Sequence, residues 1–342
     1  MKNLMIPALA LFLSAAAQAD DSPLWMRYCA ISPDGQTIAF SYQGDIYTVP
    51  SSGGKARQLT THPAHDTRPV WSPDGQRIAF ASNRSGNFDV FLMNKEGGEP
   101  KRLTTHSTNE YPTTFKDNGH ILYLANVLQD AKDIQFPGTR FMQVYEISTD
   151  GGRPDLYSSL YMENIALSKD GSKLLYNDYK GYEDPWRKHH QSSITRDIWL
   201  CTLGKDRSFQ KVTTFGGEDR NPVWAADGAS FYYLSEEKGS FNIFKKDLAG
   251  NSEKQITTHT THPVRFLTSD NSGTLCYSYD GEIYTVKEGQ KPAKVNILIV
   301  ADKIENDVIH RLLTDGATDI AVSPNGKGGS VYHSWRCLRN FY

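Results

Sequence analysis

The sequence predicts an all-β chain: a six-bladed β-propeller of four-stranded antiparallel blades, with a partial extra blade at the C-terminus. Three observations carry this. A tight-turn motif recurs along the chain, short apolar runs bracket each copy at fixed offsets, and long stretches of 3.6-residue periodicity are absent.

The turn is Ser32-Pro33-Asp34-Gly35, repeated as Ser72-Pro73-Asp74-Gly75. Weaker copies are Lys116-Asp117-Asn118-Gly119, Ser168-Lys169-Asp170-Gly171, Ala225-Ala226-Asp227-Gly228 and Asp270-Asn271-Ser272-Gly273. Proline presets φ at the second position, Asp or Asn suits the third, and glycine accepts the fourth. An apolar strand precedes each turn, as in Pro69-Val70-Trp71, and another follows, as in Ile78-Ala79-Phe80. Third strands begin at Asp45, Asp89, Asp197, Asn242 and Glu282. After a glycine turn, a fourth strand closes the unit, as in Gln58-Leu59-Thr60-Thr61, Arg102-Leu103-Thr104-Thr105 and Gln255-Ile256-Thr257-Thr258. Four short antiparallel strands make one blade, which cannot bury both faces alone, so several must stack around an axis. Six units fit between Ser22 and Ile297, each holding its own strands in order. No exchange of a terminal strand is visible, so the mode of ring closure stays open.

The N-terminus reads as a secretory signal over residues 1–19. Lys2 supplies the positive start, Leu4 to Ala17 an apolar run, and Ala17-Gln18-Ala19 a small-x-small cleavage site. The run is short for a membrane span, and no later segment is apolar enough to cross a bilayer. The expected location is the periplasm. A net charge of −2 supplies no basic field for nucleic acid. The four cysteines, Cys29, Cys201, Cys276 and Cys337, show no Cys-x-x-Cys spacing, so zinc is not expected. An oxidising compartment permits disulfides, but spacing does not say which thiols meet. Small buried apolar residues is the plainer reading.

The Ser-Pro-Asp-Gly and Ile-Ala-Phe pattern, with Leu-Thr-Thr-His at the blade end, resembles TolB-like propellers. The order of blades is more similar to the N-terminal propeller of tricorn-type serine peptidases. The most specific part of that likeness is Gly181-Tyr182-Glu183-Asp184-Pro185-Trp186-Arg187-Lys188-His189-His190, leading into Thr195-Arg196-Asp197-Ile198-Trp199. The resemblance covers about residues 23–327. It implies a propeller over 20–300, then a connector and the start of a second propeller over 301–327, opened by Thr318 to Ser323 and the turn Ser323-Pro324-Asn325-Gly326. It also implies that the catalytic part lies outside this sequence, so no catalytic residue carries over. Residues 328–342 depart from the blade pattern. Moving the reading frame by one base within Gly329 restores a Gly-Asp-Val-Tyr strand start at the interval separating Gly35 from Gly44. The tail is therefore read as frameshifted and the gene as a fragment.

No catalytic motif stands in the chain itself. A nucleophile elbow needs Gly-x-Ser-x-Gly, and Gly239-Ser240 and Gly329-Ser330 lack the flanking glycines. Zinc-helix and phosphate-loop motifs are also missing, and no cofactor is expected. The candidate binding residues are Trp186, Arg187, Lys188, His189 and His190, in the insertion from Asn177 to Thr195. Arginine suits planar acids, so this run is suited to a carboxylate or a peptide terminus. The competing reading is a solvated loop anchored by Trp186. The blade-end histidines His62, His106, His259 and His262 are expected to cap strand exits, because equivalent positions lie far apart around a ring. Asp45, Asp89, Asp197 and Glu282 are expected to bond neighbouring backbone NH groups. The functional expectation is the non-catalytic propeller of a secreted tricorn-like peptidase, guiding or gating peptides. The alternatives are a free-standing TolB-like module that binds periplasmic proteins, and a translation product with no function.

Overall fold

The computed structural model describes residues 23–127, 142–181, 191–249 and 252–300, and beyond them 317–322, 324, 328–333 and 336–341. The signal segment and Trp186 to His190 lie outside the described residues. Two compact units divide at Val300 and Ala301.

The first unit holds six four-stranded antiparallel sheets, each built from strands in sequence order, with the short strand Gly54–Lys55 set apart from blade 1. Blade 1 comprises Arg27–Ile31, Thr37–Tyr42, Asp45–Pro50 and Arg57–Gln58, from the inner strand outward. Blade 2 comprises Asp66–Trp71, Arg77–Ser82, Asp89–Asn94 and Gly97–Arg102. Blade 3 comprises Glu110–Asp117, His120–Ala125, Gln143–Ser148 and Asp155–Ser158. Blade 4 comprises Met162–Leu167, Lys173–Asp178, Ile198–Thr202 and Ser208–Lys211. Blade 5 comprises Asp219–Trp224, Ser230–Ser235, Asn242–Asp247 and Glu253–Gln255. Blade 6 comprises Arg265–Ser269, Thr274–Tyr279, Glu282–Lys287 and Ala293–Lys294. The second unit is a three-stranded antiparallel sheet of Ala317–Val322, Gly328–His333 and Arg336–Phe341.

The repeated motifs now have physical roles. Ser32 Oγ donates to Asp34 Oδ1 at 2.5 Å and accepts from Thr37 N at 3.0 Å. Ser72 and Ser168 repeat both bonds with Asp74 and Arg77, and with Asp170 and Lys173. These bonds hold Asp34 and Asp74 below the usual carboxylate range and bring Asp170 to about 2. At the blade ends, the first Thr of each Leu-Thr-Thr copy accepts a buried backbone NH. Thr60, Thr104, Thr213 and Thr257 Oγ1 take Ile46, Val90, Ile198 and Ile243 N, each at 2.9 Å. The third-strand acids hold outer-strand side chains instead. Asp45 accepts from Thr60 and Gln58, Asp89 pairs with Arg102, Asp197 with Lys211, and Glu282 with Lys294. The expected acid-to-backbone bond is thus supplied by threonine, whose shorter hydroxyl reaches the NH while the carboxylate steadies the outer strand.

The core is six clusters, one between each pair of neighbouring blades, including blades 6 and 1. A directional rule governs the second strands. In Ile78-Ala79-Phe80, the outer two residues pack back on blade 1 and Ala79 packs forward on blade 3. Blade 5 repeats this with Phe231 and Tyr233 backward and Tyr232 forward. Blade 6 repeats it with Leu275 and Tyr277 backward and Cys276 forward, onto blade 1. Period-two alternation in a strand buried on both faces produces this split. Side chains of one inner strand also stitch to the next. Trp71 Nε1 donates to Ala30 O and Trp224 Nε1 to Ala166 O, both at 2.9 Å.

The ring closes without exchanging a strand. Ile297–Leu298, after blade 6, pairs in parallel with Gly54–Lys55 of blade 1. Gly54 N donates to Asn296 O and Ala56 N to Leu298 O, both at 2.8 Å. Gly53, at φ 89°, allows the approach, since a Cβ there would stand 2.7 Å from Asn296 O.

Replacing Thr104 by valine keeps the shape but leaves Val90 NH buried and unpaired. A stability loss of about 1–3 kcal/mol is expected. Urea denaturation of Thr104→Val measures it, and a change near zero would refute the role assigned to this hydroxyl.

Candidate functional site: the axial cavity

Each inner strand carries a register break one turn upstream of its Ser-Pro-Asp-Gly-type loop. In five blades the bulged residue is left-handed and is not glycine: Tyr28 (φ 51°), Arg68 (54°), Asn164 (50°), Asn221 (53°) and Phe266 (56°). Blade 3 has Pro112 at the matching place, and proline's ring fixes φ negative. Asparagine tolerates this region, but for Tyr, Arg and Phe it costs about 1–2 kcal/mol each. Strain repeated at one ring position points to a use there.

All five residues line one cavity of about 320 Å³, bounded by the inner strands of all six blades. The cavity is therefore the axial channel, and it has two unlike walls. On blades 6, 1, 2 and 3 the wall is aromatic and cationic. Phe266 lies 4.5 Å from Tyr28 between ring centroids. The Arg68 guanidinium sits between Tyr28 and Tyr111, 5.5 and 4.3 Å from the ring centres. Among the described residues no carboxylate pairs with Arg68.

On blades 4 and 5 the wall is an ion-pair and amide network. Arg196 bridges Glu163 at 2.7 Å and Glu218 at 2.8 Å, and Arg220 lies 3.6 Å from Glu218. Burial works against the Arg196 cation, yet the two glutamates outweigh it and raise its pKa. Burial lowers that of Arg220, with Glu218 opposing. Glu163 also accepts from Tyr161 and Asn177. Asn177 Oδ1 accepts from Asn164 Nδ2 at 2.7 Å, and Asn221 Nδ2 donates to Asn164 Oδ1 at 3.1 Å. These partners fix the wall's donors and acceptors in place. Chemically, such a cavity suits a chain with peptide amides, an apolar side chain and a negative group.

The described ends of the insertion singled out in the sequence are anchored to one another and to blade 4. Asp178 Oδ1 accepts Asp197 N, Trp199 Nε1 donates to Asp178 Oδ2, and Lys180 pairs with Asp197. Arg196, beside these anchors, lines the cavity. A second long interval, 126–142, interrupts blade 3 at the same strand junction, and Met142 at its end also lines the cavity. Sequence reasoning missed it, along with Arg68, Arg220 and the left-handed ring. The available signal was positional: each of the five residues stands seven before a turn glycine.

His62 and His106 bond their own turns, whereas His259 and His262 reach blade 6. His62 Nδ1 accepts from Ala64 N, and His106 Nδ1 bonds Thr108. His259 stacks on Tyr279 at 3.8 Å and bonds Tyr277 Oη, and its burial lowers its pKa. Among the described residues no group of three or more His, Cys, Asp or Glu converges.

The class defined by these features is a six-bladed propeller with a lined axial channel and latched closure. Residues 23–292 match the family model of the tricorn protease N-terminal β-propeller domain, and the chain belongs to that family. A tricorn protease homolog of Saccharolobus solfataricus is 22% identical over 287 residues, covering 81% of this chain and 25% of the relative. Tricorn protease homolog 1 of Streptomyces coelicolor is 23% identical, covering 83% and 26%. The chain thus spans about a quarter of these relatives' length. The crystal structure of the tricorn protease superposes with a TM-score of 0.66 at 19% identity, over 93% of this chain and 31% of that one. TolB from Acinetobacter baumannii superposes at 0.57 and 13% identity, over 77% and 61%, and shares the fold.

Asn221→Gly and Asn221→Ala both remove the amide bond to Asn164, but only glycine fits φ 53° without strain. The alanine variant should be less stable than the glycine variant by about 1 kcal/mol. Equal urea midpoints for the two would show that the left-handed geometry is not enforced.

Proposed function

We propose that this chain is the non-catalytic propeller of a secreted tricorn-like peptidase and that its axial channel guides or gates peptides. The observation that carries the reading is Arg68, held in the channel between two aromatic rings with no carboxylate partner among the described residues. A guanidinium so placed is ready for a peptide carboxylate, while Tyr28, Tyr111 and Phe266 offer surface to apolar side chains. Trp186, Arg187, Lys188, His189 and His190 are proposed as an outer contact for the same peptides. Residues 301–327 are proposed as the connector to a further propeller.

Calorimetric titration with short peptides bearing an aromatic residue and a free carboxylate tests this. Arg68→Ala should weaken binding about tenfold or more, as loss of a charge-assisted contact does. Arg187→Ala with Lys188→Ala should weaken it by a smaller factor. Absence of peptide heat, together with capture of envelope proteins, would favour the free-standing TolB-like module instead.

Export is part of the proposal, motivated by Lys2, the Leu4 to Ala17 run and Ala17-Gln18-Ala19. N-terminal sequencing of protein made in a Gram-negative host should begin at Asp20, in the periplasmic fraction. A retained Met1 in the cytosol would sink this part.

A further inference from the structure

The join between blades 6 and 1 brings two cysteines together. Cys276 takes a forward-facing position of blade 6's second strand, two residues before Ser278, which also meets blade 1. Cys29 follows the left-handed Tyr28 in blade 1's inner strand and faces backward. Both lie in the same apolar cluster, 0% and 1% exposed. Both are free thiols, and burial, with Cys29 beside it, pushes the Cys276 thiol up. Cys29 Sγ also donates to Phe266 O at 3.3 Å and accepts from Ser278 Oγ at 3.6 Å, so blade 6 holds it from two sides.

Every other pair of neighbouring blades is joined by the chain itself. Blades 6 and 1 are joined only by packing, hydrogen bonds and the short parallel latch. We propose that Cys29 and Cys276 form a disulfide under oxidising conditions, and that this bond is a covalent closure of the propeller ring. Thiols this buried are shielded from oxidants in the closed ring, so the bond forms while the join is still open, during folding.

The chemistry is thiol–disulfide exchange with a small-molecule disulfide or a dithiol oxidase. One cysteine thiolate attacks the oxidant disulfide and expels one thiolate. The second cysteine then attacks the mixed disulfide and expels the other. The two protein thiols lose two protons and two electrons, and the oxidant disulfide is reduced to two thiols.

The experiment uses the full chain, refolded from denaturant either with glutathione disulfide or with a reductant. Unreacted thiols are alkylated and the protein is digested without reduction. The oxidised sample should yield a peptide joining Cys29 to Cys276, and its melting temperature should exceed that of the reduced sample by about 5–10 °C, the scale for a cross-link closing a very long loop. The double variant Cys29→Ala and Cys276→Ala should melt at the same temperature in both conditions. Separate alkylation of Cys29 and Cys276 after oxidative refolding would overturn the proposal, as would pairing of either with Cys201 or Cys337. The peptide map on the unaltered chain decides the matter even if the variant does not fold.

Discussion

A ring of blades stands or falls on how its last member meets its first. Five of the six contacts have the polypeptide running through them. The sixth must be made from side chains and a few backbone bonds. Met26, Phe40, Val49, Ile283, Val295 and Ile297 supply the apolar part. Met26 N to Gly281 O, Asn271 N to Pro33 O and Ile31 N to Thr268 Oγ1 supply the directional part. The axial channel exists only if this contact holds, because Tyr28 on blade 1 and Phe266 on blade 6 meet across it.

The channel depends on a second constraint, which is local. A left-handed residue in an antiparallel strand breaks the ladder and re-aims a side chain. Placing one such residue in five of the six inner strands puts five side chains on one lined cavity. Their identities differ, giving one aromatic and cationic wall and one wall of ion pairs and amides. The scaffold is thus largely symmetric in backbone and asymmetric in chemistry.

Most of the fold was legible. The turn motif depends on three or four adjacent residues, so its physics is visible in a short window. The Leu-Thr-Thr ends were visible for the same reason, although the threonine's partner was not, because the choice between threonine and aspartate rests on reach. The closure was not legible. Ile297–Leu298 is two residues long and pairs with Gly54–Lys55, far away in sequence. The site was legible only in part. Trp186 to His190 drew notice as a dense basic run, whereas Tyr28, Arg68, Asn164, Asn221 and Phe266 share a backbone angle and no side-chain type. Arg196 stands inside the Thr195-to-Trp199 segment that carries the most specific likeness, but its bridge between Glu163 and Glu218 joins two blades and needs the ring to be assembled.

The back-and-forward rule of the second strands has a consequence for how such a ring changes over time. Each blade carries both mating faces, one for the neighbour behind and one for the neighbour ahead. A copied blade therefore arrives already compatible with both sides of the gap it enters. A substitution at a forward position such as Ala79 or Tyr232 is answered one repeat downstream, not within its own sheet. Compensating changes in this chain should lie about one blade apart along the sequence, and the exception is blade 6, whose forward residues, Cys276 among them, have their counterparts back at the start of the ring.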